Sequence, residues 1–293
     1  MSARAHRGTI HLEEARILAH EPHPANQFVL RVEAPETAKR AVPGTFCHIQ
    51  CAPSVPLRRP LSIMQADSGA GWVEFLYKPV GTGLAQLSAR PPGECISVLG
   101  PIGNGFMLDP AKPRVLALGG GVGIPPMIFL AQTLRGDDRF DLTVFAGSEI
   151  PFPFATVPAT RVAHGIDATA THAAELLQQW GIVSHLASRS ALTGAYRGFV
   201  TDLAAQQLRA LSRAERRRTQ IVACGPEPML AAAARLAREQ DVSCQLALEE
   251  YMACGVGGCA GCTVLIQTQA GPAMKRVCVD GPVFPAEAVY PAA

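Results

Sequence analysis

Two hydrophobic textures divide the chain. Over roughly the first 110 residues, apolar positions fall in short runs broken by Pro and Gly: HLEEARILAHEPHPANQFVLRVEAP, GTFCHIQCA, GWVEFLYKPV and ECISVLG. Short runs bounded by turn residues predict strands, and helical periodicity here is confined to GTGLAQLSAR. An antiparallel barrel or sandwich is expected. At Lys112 the texture changes. RVLALGGGVGIPPMIFLAQTLR is an apolar run, a glycine turn and a helix opening on prolines, tolerated there because first-turn N–H groups have no helical partner. FDLTVFAGSE predicts a second buried strand, and TQIVACGPEPMLAAAARLAREQ repeats the strand–turn–helix order. Strands alternating with helices predict a parallel sheet covered by helices. The expected fold is β + α/β in three parts: an N-terminal antiparallel β-barrel over 1–110, a parallel-sheet α/β domain over 111–245, and a small C-terminal module over 246–293 rich in Gly and Cys.

Composition narrows the function. The 293 residues are 48% hydrophobic and 17% charged, enough apolar surface for real cores, and the net charge of +2 points to neither nucleic acid nor an anionic membrane. The start, MSARAHRGTIHLEEARILAH, lacks the apolar stretch of a secretory signal. The most apolar run is interrupted by glycines and two prolines, whereas a membrane-spanning helix needs about 20 mostly apolar residues. No membrane insertion and a cytoplasmic location are expected. The basic stretch LRALSRAERRRTQ reads as a solvated helix face.

Four of the nine cysteines gather near the end: Cys254, Cys259 and Cys262 in YMACGVGGCAGCTV, and Cys278 in RVCVDGPVF. An odd total without an export signal argues against disulfides. The spacing is C-x4-C-x2-C followed by a distant fourth cysteine, the plant-type [2Fe–2S] pattern. A structural zinc site is the alternative, but zinc ligands usually come as two close pairs; unligated thiols are the third reading. Gly255, Gly257, Gly258 and Gly261 allow a tight loop whose N–H groups point at sulfur. Cys47, Cys51, Cys95, Cys224 and Cys244 are scattered, and most are expected to be buried.

Four further stretches suit phosphate or ring binding. LRRPLSI places Arg59 three residues before Ser62, an arginine and a hydroxyl on one strand. LYKPVGTGLAQLS sets Gly81 and Gly83 at a helix start, where backbone amides meet partial positive charge. GGGVGIPPM, with Gly120, Gly121 and Gly123, departs from the dinucleotide fingerprint because Ile124 stands where its third glycine would fall. ACGPEPM ends another strand with Cys224 and Gly225, and a small polarisable thiol there suits the face of a nicotinamide. Glu149, after FDLTVFAGS, favours NAD over NADP: a carboxylate can accept from a ribose hydroxyl and repels a 2′-phosphate.

In their order, these stretches together with GPIGNGF, GAYRGFVTD, MACGVGGCAGCTV and KRVCVDGPVF resemble the ferredoxin–NADP reductase superfamily. Within it they are most similar to the iron–sulfur electron-transfer subunits of class 1B dihydroorotate dehydrogenases, over nearly the whole chain. The resemblance implies that the barrel binds FAD, the α/β domain binds NAD(H) and the C-terminal module holds a [2Fe–2S] cluster. Arg59, Pro60, Leu61 and Ser62 would form the first FAD segment; Leu76, Tyr77 and Lys78 the second; Gly83 and Leu84 the third. Leu84 stands where the family usually has threonine, which leaves backbone amides to serve that phosphate. Cys254, Cys259, Cys262 and Cys278 would ligate the cluster. The implied partner is an FMN-containing dihydroorotate dehydrogenase catalytic subunit in a two-plus-two heterotetramer, with electrons running from FMN through cluster and FAD to NAD+ in pyrimidine biosynthesis. This chain offers no evident base or pocket for orotate. The alternatives are the small subunit of a sulfide dehydrogenase or of an NADH-dependent ferredoxin–NADP oxidoreductase, and a non-redox, zinc-stabilised binding protein.

Overall fold

Polar and apolar side chains alternate along the first strands, and that alternation closes a barrel. The computed structural model describes residues 9–292, so the first eight residues of the stretch read for a secretory signal lie outside the described residues. The chain runs β1 (His11–His23), β2 (Gln27–Glu33), α1 (Pro35–Arg40), β3 (Phe46–Gln50), β4 (Arg59–Asp67), β5 (Trp72–Tyr77), α2 (Gly81–Ser88) and β6 (Cys95–Ile102). The six strands form a closed antiparallel barrel in the order β1-β2-β5-β4-β3-β6. Ala15, Ile17, Leu30, Val32, Cys47, Ile49, Leu61, Ile63, Val73 and Phe75 fill its interior. On β3 and β4 the intervening residues Phe46, His48, Pro60 and Ser62 therefore belong to the outer face, with His48 opposite Pro60 and Phe46 opposite Ser62.

The second half continues with β7 (Arg114–Gly120), a 3-10 turn (Gly121–Gly123), α3 (Ile124–Leu134), β8 (Asp141–Gly147), β9 (Thr156–Pro158), β10 (His172–Ala174), α4 (Glu175–Gln179), β11 (Val183–Ser188) and β12 (Tyr196–Arg197). Then follow α5 (Val200–Ala210), α6 (Arg213–Arg217), β13 (Thr219–Cys224), α7 (Glu227–Gln240), β14 (Ser243–Ala247), β15 (Thr263–Thr268), β16 (Gly271–Arg276), β17 (Val283–Pro285) and α8 (Ala286–Val289). A seven-stranded sheet has the order β12-β11-β8-β7-β13-β14-β17. It is parallel except for β17, which runs antiparallel to β14.

Both faces of this sheet are covered, which explains why its strands read as unbroken apolar runs. Leu116 and Leu118 of β7 pack under α5 and α7; Val115 and Ala117 pack under α3. Helix α3 also joins the two halves. Phe129 enters the barrel core, Ile124 and Ile128 pack with Met64 and Leu76, and the Gln132 Oε1 accepts the backbone N–H of Ala66 at 3.1 Å.

The segment 150–192, longer and less recognisable than the rest of the resemblance, forms the two-stranded β9–β10 ladder, α4 and β11. The basic stretch near residue 213 is a short helix capped by Ser212, whose side chain accepts from Glu215 N–H while Glu215 accepts from Ser212 N–H. Cysteines 47, 51, 224 and 244 are buried and Cys95 is exposed. Among the described residues, no helix is long and apolar enough to cross a membrane.

Candidate functional site

Three constellations carry the candidate chemistry, and each is built by strand ends or tight turns. The first lies at the start of β4 and α2. The Arg59 guanidinium rests on Gly83: a Cβ at Gly83 would stand 3.3 Å from both Nε and Nη2. Its Nη1 donates to the carbonyls of Leu57 at 2.8 Å and Arg58 at 3.2 Å. Gly81, two residues earlier, has a φ of +72° and open space where a side chain would be. A half-buried cation and an unobstructed glycine turn at a helix start form a cradle that fits a pyrophosphate.

The other residues expected to meet the flavin divide. Pro60 and Ser62 are half-buried on the outer face of β4, whereas Leu61 points into the barrel. Tyr77 is turned into the barrel as well, stacked on Phe28 with ring centroids 5.7 Å apart. Its hydroxyl is 2.7 Å from His20 Nε2, and burial raises its pKa. Leu76 faces α3, Lys78 is exposed, and Leu84 packs against the barrel core in place of a hydroxyl. So the sequence segments come together, but Leu61 and Tyr77 can offer a ligand only backbone.

The second constellation is the switch point of the parallel sheet, between β7 and β13. After β7 the chain builds one side through β8 and β11, then returns to β13 on the other. The crevice outside the strand carboxyl ends at such a reversal is where open α/β sheets bind ligands. Here the two turns interlock. A Cβ on Gly123 would collide with the carbonyl of Cys224 and stand 2.6 Å from Gly225 N. A Cβ on Gly225 would stand 3.2 Å from Gly120 N. Gly121 takes a φ of +55° at the apex with open space around it. Cys224 is opposite Gly119 in the ladder; burial, reinforced by Glu249, pushes its thiol up, so it is a neutral SH and not a nucleophile. Glu149 follows β8 and accepts from Arg189 Nε at 3.0 Å in an exposed pair.

The third constellation is the cysteine loop between β14 and β15 and its return after β16. Its thiols come in two pairs. Cys259 N–H donates to Cys254 Sγ at 3.4 Å, and Cys262 and Cys278 are buried with their sulfurs 3.3 Å apart. Among the described residues, no three His, Cys, Asp or Glu side chains converge on one ligand point. Burial pushes the Cys254 thiol up, but the N–H groups of Cys259, Val256 and Gly258 outweigh that and bring it down to about 7. The Cys278 thiol is pushed up to about 12, by burial first and then by Cys262. Two thiols per pair, and amide donors aimed at sulfur, suit a two-iron group that takes two thiolates on each iron. The donor set therefore fits the cluster.

The loop's supports were not evident in the sequence. Arg276 Nη1 donates to the Gly257 carbonyl at 2.9 Å, and its Nε donates to Asp280 at 3.2 Å. Asn104, within GPIGNGF, donates to the Asp280 carbonyl at 3.1 Å, and its N–H to the Gly281 carbonyl at 2.6 Å. Phe46 and Ile102 of the barrel share a core with Cys262 and Cys278. His48, on the same strand face as Phe46, lies against Gly255: a Cβ there would stand 2.8 Å from its Nδ1. Burial, then Arg58, holds His48 down at about 4, so it is neutral. Only its place in an alternating apolar strand, GTFCHIQCA, could have flagged it.

Comparison with known proteins agrees with this geometry. Residues 249–290 match the iron-sulfur cluster binding domain of dihydroorotate dehydrogenase B. The dihydroorotate dehydrogenase B (NAD(+)) electron transfer subunit of Geobacillus sp. (strain WCH70) is 34% identical over 283 residues, covering 94% of this chain and 96% of that one. The corresponding subunit of Geobacillus thermodenitrificans (strain NG80-2) is 36% identical over 265 residues, covering 88% and 90%. Among solved structures, an NADH-dependent reduced ferredoxin-NADP oxidoreductase matches with a TM-score of 0.75 and 26% identity, covering 99% of this chain and 91% of that one. The ferredoxin reductase of carbazole 1,9a-dioxygenase, at 21% identity, shares the fold with a TM-score of 0.62, covering 80% and 67%. Its sequence and its architecture agree: the chain belongs to the family of electron transfer subunits of dihydroorotate dehydrogenase B.

Proposed function

We propose that this chain relays electrons between an FMN-containing dihydroorotate dehydrogenase catalytic subunit and NAD, in the cytoplasm, within a two-plus-two heterotetramer. The observation that carries it is the position of the cysteine loop: it packs on β3, and β3 is hydrogen-bonded to β4, which begins with Arg59. A flavin site and a cluster site built this way would rest on two adjacent, hydrogen-bonded strands. FAD would supply the exchange between a hydride and single electrons, and a [2Fe–2S] cluster would carry one electron at a time.

The chain's own residues bind and orient. Arg59 and the Gly81–Gly83 turn would hold the flavin pyrophosphate, with the half-buried Pro60 and Ser62 on the face the ring would use. The turns at Gly120–Gly123 and Cys224–Gly225 receive the nicotinamide end, and the neutral Cys224 thiol packs without competing as a nucleophile. Cys254, Cys259, Cys262 and Cys278 hold the cluster. The division into a barrel over 1–110, a nucleotide domain over 111–245 and a cluster module over 246–293 is functional. Tyr251 is almost fully exposed, Val256 is half-exposed and Cys259 is exposed, which supports the loop as the face a partner approaches.

Co-purification with the FMN subunit, followed by addition of dihydroorotate and NAD+, tests the reading. NADH formation is expected, lost in C278S and kept in C95S. A complex inert to dihydroorotate that turns over with ferredoxin and NADPH would favour the second reading, an NADH-dependent ferredoxin–NADP oxidoreductase subunit, which the full-length structural match supports.

A further inference from the structure

We propose that His48 is a hydrogen-bond donor to the cluster group of the cysteine loop, setting its reduction potential from the flavin side. The inference rests on the reading of that loop as a cluster site. His48 is fully buried, and neither ring nitrogen has a partner among the described residues. Buried polar groups are rarely left so, because an unmade hydrogen bond there is costly. An orphan imidazole inside a core is the sign of a missing acceptor beside it.

The surroundings say which side the acceptor occupies. On its own ladder His48 is paired through backbone with Pro60 of β4 and Leu99 of β6. The Arg58 guanidinium reaches only its carbonyl, at 3.2 Å, and not the ring. Phe46 packs at 5.9 Å from the ring and offers no acceptor. What remains is the loop. Gly255 lies against the ring so closely that a Cβ would stand 2.8 Å from Nδ1 and 3.0 Å from Cε1, and Gly255 directly follows Cys254. Glycine is required there twice over, by this contact and by a φ of +66°. A neutral imidazole carries one N–H, and no cysteine sulfur of the described loop takes it, so the acceptor this loop would bring beside the ring is a sulfur of the bound cluster group.

An N–H···S bond favours the more negative form, so it makes the cluster easier to reduce. His48 is also opposite Pro60, in the first flavin segment, and lies against Gly255 of the cysteine loop, so one residue touches the supports of both sites. It acts as a positioning and tuning residue, not as a carrier.

The test uses the purified full chain in its complex. H48L removes the donor and keeps an apolar filler; H48Q keeps a donor. Iron and acid-labile sulfide are measured first, then the cluster midpoint by EPR-monitored titration, then exchangeable proton couplings by ENDOR in D2O. With full loading, H48L is expected to lower the reduced fraction at a fixed ambient potential on the order of tenfold, about 59 mV for one electron, and to lose an exchangeable coupling present in the wild type. H48Q is expected to restore most of both. Equal midpoints and couplings in H48L and wild type would overturn the proposal, as would loss of iron in both variants, since a tuning donor is dispensable for assembly. A wild type with zinc, or without iron and sulfide, would instead overturn the cluster reading itself.

Discussion

The Arg276 guanidinium ties the Gly257 carbonyl to the Asp280 carboxylate, with hydrogen bonds of 2.9 Å and 3.2 Å. It thereby joins the two ends of the cysteine pattern, since Gly257 lies between Cys254 and Cys259, and Asp280 lies two residues after Cys278. R276M keeps the stem and removes both bonds. Faster bleaching of the visible cluster spectrum under an iron chelator is expected, on the order of tenfold, as when other outer supports of a metal site are cut. An unchanged bleaching rate would show that the loop holds its shape without this clamp.

Arg59 and Gly83 predict a flavin-specific lesion. R59M loses a charge-assisted contact to phosphate, a change of about 1.5–3 kcal/mol, or roughly 10- to 100-fold in FAD affinity. The barrel itself should stay folded, because the hydrogen bonds of the Arg59 side chain are local, to Leu57 and Arg58. Flavin released on gel filtration, with an intact far-UV spectrum and full iron, is the expected outcome.

Gly123 and Gly121 separate space from strain. G123A would push a methyl into the Cys224 carbonyl, whereas G121A meets open space and only an unfavourable φ. G123A is expected to cost about 1–3 kcal/mol by overpacking and to weaken NADH binding while leaving flavin content unchanged. G121A should be the milder of the two in thermal unfolding. The reverse order would mean that the turns do not interlock as described.

His185 predicts an acid-side loss of stability. It is fully buried and stacked on Phe145, and its Nε2 accepts the Ala163 N–H at 3.1 Å. Burial holds its pKa at about 4, down from 6.5. The unfolded chain therefore binds the proton first. Its contribution is complete above pH 6.5, is lost as pH falls from 6.5 towards 4, and stops changing below that, a total on the order of 3 kcal/mol. Urea unfolding between pH 7 and 4.5 should show a shallower pH slope in H185L than in the wild type, whatever the variant's absolute stability.

Much of this was legible because it is local. The cysteine spacing, the glycine turns and the arginine before PLS are short-range patterns, and residues near in sequence stay near in the fold. GTGLAQLSAR became α2 at Gly81–Ser88 and the proline-opened helix became α3 at Ile124–Leu134. The supports were not legible, because they join residues far apart. Asn104 reaches Asp280, and His48 reaches Gly255, only once the barrel and the tail have docked. Tyr77 and Leu61 show the complementary lesson. Both lie in flavin-like segments, yet strand alternation turns their side chains inward. The tail is also less separate than its composition suggests: Phe284 of β17 pairs with Leu246 of β14.

That last pairing has a mechanical consequence. The cysteine loop begins just after one strand of the large sheet and ends just before its neighbour, so both of its ends are sewn into a single rigid body. A carrier hung on a flexible tether must swing, and its turnover slows in viscous solvent and shifts with tether length. A carrier stitched at both ends has nowhere to swing. Throughput inside this chain should be indifferent to glycerol, and any viscosity dependence of the whole assembly would belong to the arrival and departure of nucleotide.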